Sequence, residues 1–220
     1  MLWLIFRGPK GILVRLSEYT IPGCGCNRAQ RTCANLRTMP PLLHEIDPGP
    51  ECPEIVRMIV EISKNSGNKY EYDRALGVFR LDRTLYSPMH YPGDYGFIPG
   101  TVADDGDPMD VLTLVDQPSF PGCLIEVRPV AVLNMVDSDV GDQKIIAVPT
   151  RNPRYDQIHT IDQIFAHIRR EVEHFFSIYK ELEGRVTEMQ GWGDPRAARK
   201  AILDSRRKFL DMRQEKVGVE

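Results

Sequence analysis

The sequence predicts a mainly β protein with flanking helices (α+β), built as a small closed barrel followed by two C-terminal helices. Three observations carry that expectation. Between residues 54 and 150, short runs rich in β-branched and aromatic residues alternate with turns of glycine, proline and asparagine, the pattern of successive strands. No helical period separates those runs, so a barrel is expected rather than a parallel sheet with crossover helices. Apolar residues at three- and four-residue steps occur only after Thr160, which places the helices last.

The elements follow in order. IVRMIVEI (residues 55–62) is too apolar for a loop and reads as a buried strand. After the turn SKNSGN, KYEYD (69–73) and VFRLDR (78–83) alternate polar and apolar residues around a turn at 75–77, a hairpin with one charged face. YPGDYGF (91–97) reads as a loop, because Pro92, Gly93 and Gly96 interrupt it. VLTLV (111–115) is a strand, and CLIEVRPVAVLNMVD (123–137) is long enough to be a bent one. Gly141 is expected to break the chain before KIIAVPT (144–150). Thr160 with Gln163 three residues later forms a capping box. It should open a helix through Ile161, Ile164, Phe165, Ile168, Val172, Phe175, Tyr179 and Leu182, closed by Gly184. Asp194-Pro195 should cap a second helix carrying Ala198, Ala201, Ile202, Phe209 and Leu210, fraying after Arg213.

One stretch stands apart. Within seven residues of YPGDYGFIPGTVADDGDPMD (91–110) lie four aspartates: Asp104, Asp105, Asp107 and Asp110. Two carboxylates about 4 Å apart repel by roughly 4 kcal/mol at an effective dielectric near 20, a cost that a divalent cation offsets. A solvated acidic loop is the plainer reading. Against it, Phe97, Ile98, Met109, Val111 and Leu112 flank the cluster, so Asp110 should begin a rigid strand. The loop lacks the glycine and glutamate positions of an EF-hand. An all-oxygen donor set without nearby His or Cys favours Mg²⁺, Mn²⁺ or Ca²⁺ over zinc.

Composition narrows the function classes. In 220 residues, 42% hydrophobic and 27% charged, no apolar run approaches the roughly 20 residues of a membrane span. Residues 1–38 carry six basic side chains against Glu18, a net +5, which leaves −8 of the overall −3 on residues 39–220. An acidic body argues against nucleic acid as a partner. Three of the five cysteines (Cys24, Cys26, Cys33) fall in the basic segment, and Cys52 and Cys123 are isolated. That is no disulfide framework, so a reducing compartment, the cytoplasm, is expected. Residues 1–38 read as an extension upstream of a start at Met39, with organellar targeting as the alternative. Residues 39–220 read as one domain. His167 and His174 share a helix but have no third ligand beside them.

The run DDGDPMDVL, preceded by YPGDYGFIPGT and followed by RPVAVLNMVDSDVGDQKIIAVP, closely resembles the signature of the soluble family I inorganic pyrophosphatases. VEIS, NKYEYD, LDR and HFFSIYKELEG add matches in the same order, so the likeness runs from about Glu54 to Ile202. The resemblance implies a five-stranded OB-like barrel, Mg²⁺-dependent hydrolysis of pyrophosphate to two phosphates by a metal-activated water, and a homo-oligomer, with a hexamer favoured. Several Mg²⁺ ions per site are implied, with Mn²⁺ or Zn²⁺ as substitutes. It further implies that Asp105, Asp110, Asp137 and Asp142 are metal ligands and that Asp107 is the general base. Lys69, Arg83, Tyr95, Lys144, Tyr179 and Lys180 would hold the phosphoryl groups, supported by Glu61, Glu71 and Tyr91. Asp104 receives no role.

Two other classes compete. A haloacid-dehalogenase-type phosphohydrolase uses Asp-x-Asp, which Asp105-Gly106-Asp107 matches, but the motif should follow a buried strand in a βαβ pattern. A calcium-binding module would explain the acids and leave the lysines and tyrosines without a purpose.

Overall fold

The computed structural model describes residues 42–137 and 140–217. The expected boundary after residue 38, the start at Met39 and the group Cys24, Cys26 and Cys33 lie outside the described residues.

Strand β1 (Val56–Ile62) runs antiparallel to both β4 (Asp94–Phe97) and β6 (Leu124–Asp137). β4 is antiparallel to β5 (Asp110–Thr113), β5 is parallel to β7 (Val140–Pro149), and β7 is antiparallel to β6. The circuit β1-β4-β5-β7-β6 therefore returns to β1, a closed five-stranded barrel without free edges inside it. β6 can join three partners because it bends: its register shifts between Pro129 and Ala131, where proline has no N–H to donate. Its first residues pair with β1 and its last with β8 (Thr187–Gly193). The hairpin β2 (Asn68–Asp73) and β3 (Val78–Thr84) forms a separate two-stranded sheet with Lys69 opposite Arg83 and Glu71 opposite Arg80.

Three apolar clusters fix these parts. Phe175, Phe176 and Val172 of helix α1 (Ala166–Ile178) pack with Tyr91, Tyr95, Leu133 and Ile146. Ala198, Ala201 and Ile202 of helix α2 (Pro195–Val217) pack with Met58, Val60, Val111, Val132 and Ile145. Ile59, Tyr72 and Phe97 tie the hairpin to the barrel. Each such side chain contributes about 1.5–3 kcal/mol when fully buried.

The structure corrects five local expectations. Residues 94–97, read as loop, are strand β4. A Cβ at position 96 would stand 2.0 Å from the Ile59 carbonyl oxygen, so the glycine is there for close strand approach rather than for a turn. Gly141 does not break the chain but sits inside β7 opposite Val136. The Thr160–Gln163 capping box heads a 3₁₀ turn (Ile161–Gln163), and α1 begins only at Ala166, after Ile164 returns to extended backbone. That helix stops at Ile178. Gly184, at φ +73°, ends a following 3₁₀ turn (Glu181–Glu183), and β8, which the sequence reading missed, comes next. α2 opens at Asp194, whose Oδ1 accepts the Ala197 N–H at 2.8 Å, and it continues beyond Arg213. Among the described residues, no helix is long and apolar enough to cross a membrane.

Candidate active site

A cleft of about 460 Å³ opens where the β2–β3 hairpin, the acidic loop before β5, the β6–β7 ends and the C-terminal end of α1 meet. The acidic loop is rooted from below. Met109 is buried, its N–H donates to Thr101 Oγ1 at 2.9 Å, and that hydroxyl donates to the Ile98 carbonyl at 2.5 Å. Above this root the chain doubles back through Gly106, at φ +88°. The Ala103 N–H donates to the Asp107 carbonyl at 2.7 Å, and the Asp107 N–H to Asp105 Oδ1 at 2.9 Å. The loop thus holds its own backbone while directing Asp105, Asp107 and Asp110 into the cleft.

Acids and bases meet there in pairs. Lys144 of β7, only 5% exposed, lies between Asp110, to which it is hydrogen-bonded, and Asp142, 2.8 Å away. Lys69 pairs with Glu71, Lys180 with Asp137, and Arg74 with Asp107. Tyr95 is buried beneath the Lys144 ammonium, 5.8 Å from ring centre to nitrogen, and Tyr179 stacks on Phe175 at 5.3 Å. Among the described residues no three carboxylates converge on one point; basic side chains stand between them.

The titration behaviour follows from this crowding. Burial pushes the Glu61 carboxyl up to about 8, against the opposing Tyr72 N–H, which donates to it at 2.8 Å, with Asp110 adding to the rise. Burial also raises Asp142; Lys144 opposes the rise, and Asp110 and Asp105 reinforce it. Asp107 is raised by partial desolvation in the cleft, although 71% of its side chain stays accessible. Arg74 pulls it down, and Asp105, Asp110 and Glu71 push it up. Burial works against the charge on Lys144, but Asp110 and Asp142 outweigh it and keep the ammonium protonated. Burial, then Asp110 and Asp142, hold the Tyr95 hydroxyl well above its ordinary range, so it remains a donor. Several carboxylates are therefore held together at an electrostatic cost, and their donor set is all oxygen. Both features suit hard divalent cations.

Of the site residues expected from the sequence, the structure brings Glu61, Lys69, Glu71, Tyr95, Asp105, Asp107, Asp110, Asp137, Asp142, Lys144, Tyr179 and Lys180 to this cleft. Arg83 and Tyr91 are not on its wall. The Arg83 guanidinium is engaged by Glu183 at 2.7 Å and Asp82 at 2.5 Å, and Tyr91 is a core side chain packed between Tyr95 and Phe175. The sequence reading missed His44, Tyr70, Tyr72, Asp73, Arg74, Arg80, Phe97 and Pro108, which also line the cleft. Cross-strand register could have found Arg80, opposite Glu71. Nothing local to His44, in a short 3₁₀ turn far upstream of the acids, points to the cleft.

Asp105-Gly106-Asp107 does not follow a buried strand of a βαβ unit, since residues 98–109 join two antiparallel barrel strands; the dehalogenase pattern is absent. Comparison with known proteins agrees with the signature instead. The family profile described as inorganic pyrophosphatase matches residues 58–210. The chain is 48% identical over 150 residues to the inorganic pyrophosphatase of Halalkalibacterium halodurans, covering 68% of this chain and 92% of that one. It is 47% identical over 162 residues to that of Halobacterium salinarum, covering 73% and 92%. The crystal structure of inorganic pyrophosphatase from Thermus thermophilus superposes with a TM-score of 0.75 at 41% identity, covering 77% of this chain and 99% of that one. With the profile spanning well over half of its length and a shared barrel, this chain belongs to the inorganic pyrophosphatase family.

Proposed function

We propose that this chain hydrolyses inorganic pyrophosphate to two phosphates in the cleft, with Mg²⁺ as cofactor and Asp107 as general base. The observation that carries the reading is the set of acid–base pairs lining a single cleft. Pyrophosphate is highly anionic, and carboxylates alone would repel it; ammonium groups alone would bind it without activating water. With both present, each pair can part so that carboxylates hold cations and lysines hold phosphate oxygens.

Asp105, Asp110, Asp137 and Asp142 would hold the cations, which when bound acidify water and screen the substrate's charge. Mn²⁺ and Zn²⁺ are the expected substitutes. Lys69, Lys144 and Lys180 neutralise the charge that builds on the departing phosphate, with Arg83 contributing once its pairing with Asp82 and Glu183 loosens. Tyr95 and Tyr179 donate hydrogen bonds through their hydroxyls. Asp107, the most accessible acid paired within the cleft, takes a proton from the attacking water as its oxygen bonds to phosphorus and the bridging P–O bond breaks. Glu61 and Glu71 orient neighbouring groups, and Tyr91 supports Tyr95 from the core.

The enzyme is expected to act in the cytoplasm as a homo-oligomer, a hexamer by preference, with neither nucleic acid nor membrane as partner. Residues 39–220 should carry the full activity. The test is phosphate release from pyrophosphate with Mg²⁺ or with EDTA, comparing the full chain with one beginning at Met39. Fast Mg²⁺-dependent release that prefers pyrophosphate to ATP, equal in both chains, supports the proposal. No release with any divalent metal overturns it.

A further inference from the structure

Asp104 is the one acid of the cluster without a role in the site, and the contacts around it point away from the cleft, toward α2. Its carboxylate is hydrogen-bonded to Lys208. Two residues earlier, the Val102 N–H donates to the Ser205 carbonyl at 3.0 Å. Two residues before that, Arg206 Nη1 donates to the Gly100 carbonyl at 3.1 Å, while its Nη2 donates to Asp47 Oδ2 at 2.8 Å. Three alternate residues of the loop, Gly100, Val102 and Asp104, are thus fastened to Arg206, Ser205 and Lys208 within one turn of the helix. The helix itself is fixed, because Ala198, Ala201 and Ile202 are buried in the core.

The approach is close enough to restrict the sequence. Gly100 has φ +66°, and a Cβ there would stand 2.4 Å from Arg206 Nη1 and 3.0 Å from the Ile46 carbonyl. Glycine at this position admits the guanidinium against the backbone. The arginine is itself held on two sides, with its guanidinium 5.8 Å from the Phe209 ring and only 23% of its side chain exposed. Immediately after the tethered residues come Asp105 and Asp107, whose turn is closed by the Ala103 N–H to Asp107 carbonyl bond.

We infer that Arg206, assisted by Lys208 through Asp104, is a positioning residue: from outside the cleft it fixes the acidic loop and so sets where Asp105 and Asp107 stand. This rests on the site reading given above for those two aspartates. A planar guanidinium holds Gly100 and Asp47 through two nitrogens in fixed relation, a rigid span that the single nitrogen of a lysine does not offer. Without it the loop keeps its internal turn and its other ties but loses the one at Gly100, and cation binding then carries part of the cost of ordering it.

The test compares wild type, Arg206→Ala, Arg206→Lys and a stability control, Ile164→Val, which loosens the separate core cluster under α1 that holds no residue of the loop. Mn²⁺ binding is measured directly by electron paramagnetic resonance without substrate, alongside thermal midpoints and the kcat and KM of pyrophosphate hydrolysis. Arg206→Ala should weaken Mn²⁺ binding by about tenfold, at the lower end of the effect of removing a partner that orients metal ligands. Its kcat should fall more than its KM rises. Arg206→Lys, which keeps the charge and one hydrogen bond, should recover part of the loss, and it carries the comparison if the alanine variant does not fold. Ile164→Val should lower the midpoint and leave Mn²⁺ affinity unchanged. Wild-type Mn²⁺ affinity in both Arg206 variants would overturn the inference, as would a loss that merely tracks the midpoint across all variants, Ile164→Val included. A wild type that binds Mn²⁺ yet releases no phosphate would sink the hydrolytic reading, and the Mn²⁺ shift alone would then decide the role of Arg206.

Discussion

Replacing Lys144 with methionine removes one ammonium and keeps most of the unbranched side chain. The consequence can be worked from the structure. Lys144 is 5% exposed, and its partners Asp142 and Asp110 are 17% and 26% exposed. Breaking a buried ion pair by removing one member costs about 3–5 kcal/mol, because the partner's charge is left without compensation. Asp110 keeps some access to water, so the lower end applies, about 3 kcal/mol. For a domain of this size that is a fall of roughly 6–12 °C in thermal midpoint.

The loss has a pH signature. Asp142 is already held above its ordinary range by burial, and without Lys144 it rises further. An acid whose folded-state pKa exceeds its unfolded one destabilises the fold as pH rises through that interval, and the cost fades as pH falls and the folded state takes up its proton. The raised pKa of Lys144 means that the wild type keeps the ammonium's stabilising effect across the same range and loses it only in strong base. Midpoints measured by circular dichroism in EDTA should therefore differ more between wild type and Lys144→Met at pH 8 than at pH 5. Added Mg²⁺ should raise the variant's midpoint more than that of the wild type. A difference below about 2 °C at pH 8 in EDTA, or equal differences at both pH values, would refute the reasoning.

Three further outcomes follow from the same geometry. Asp107→Asn should cut phosphate release by roughly 10²–10⁴-fold, the usual worth of a general base. Its midpoint should stay near that of the wild type, since the exposed pair with Arg74 contributes at most about 1 kcal/mol. Glu61→Gln should stabilise the cation-free protein by roughly 4 kcal/mol at pH 8 and not at pH 4, because a carboxyl pushed up to about 8 costs stability as pH climbs from the ordinary carboxylate range toward that value; thermal melts across pH would show it. Gly96→Ala should leave little folded protein in expression trials, because the added methyl would stand 2.0 Å from the β1 carbonyl of Ile59.

The parts of the fold that were legible in the sequence are those whose signals are local. β1, β6 and β7 announce themselves by β-branched runs, and α2 by its Asp-Pro cap. The parts that were not depend on partners distant in the chain. Gly96 looks like a turn residue until β1 is beside it, when its missing side chain becomes the condition for pairing. TEMQGWG carries no apolar alternation, because β8 is only partly buried and is defined by its ladder with the end of β6. The capping box is present as chemistry, but Ile164 takes extended backbone straight after it and the helix starts afresh at Ala166.

The site divides along the same line. The acids before β5 lie close in sequence, so their mutual repulsion could be read from the spacing alone. Their basic partners could not, because Arg74 lies 33 positions from Asp107 and Lys144 34 from Asp110, just as Lys180 lies 43 from Asp137 at the end of β6. Only the closure of the barrel and the docking of the hairpin and α1 bring them together. This separation has a functional consequence. A cluster of acids neutralised by neighbours in its own loop would be a finished, stable turn with little affinity for anything else. Here the neutralising lysines and arginine come from other elements, while burial holds Glu61 and Asp142 above the range of ordinary carboxylates. The cation-free cleft therefore retains an electrostatic cost that cations can relieve, and each carboxylate that takes a cation frees a basic group for a phosphate oxygen. Cation and substrate should then bind cooperatively for a reason built into the pairs themselves: each ligand supplies the counter-charge that the other removes.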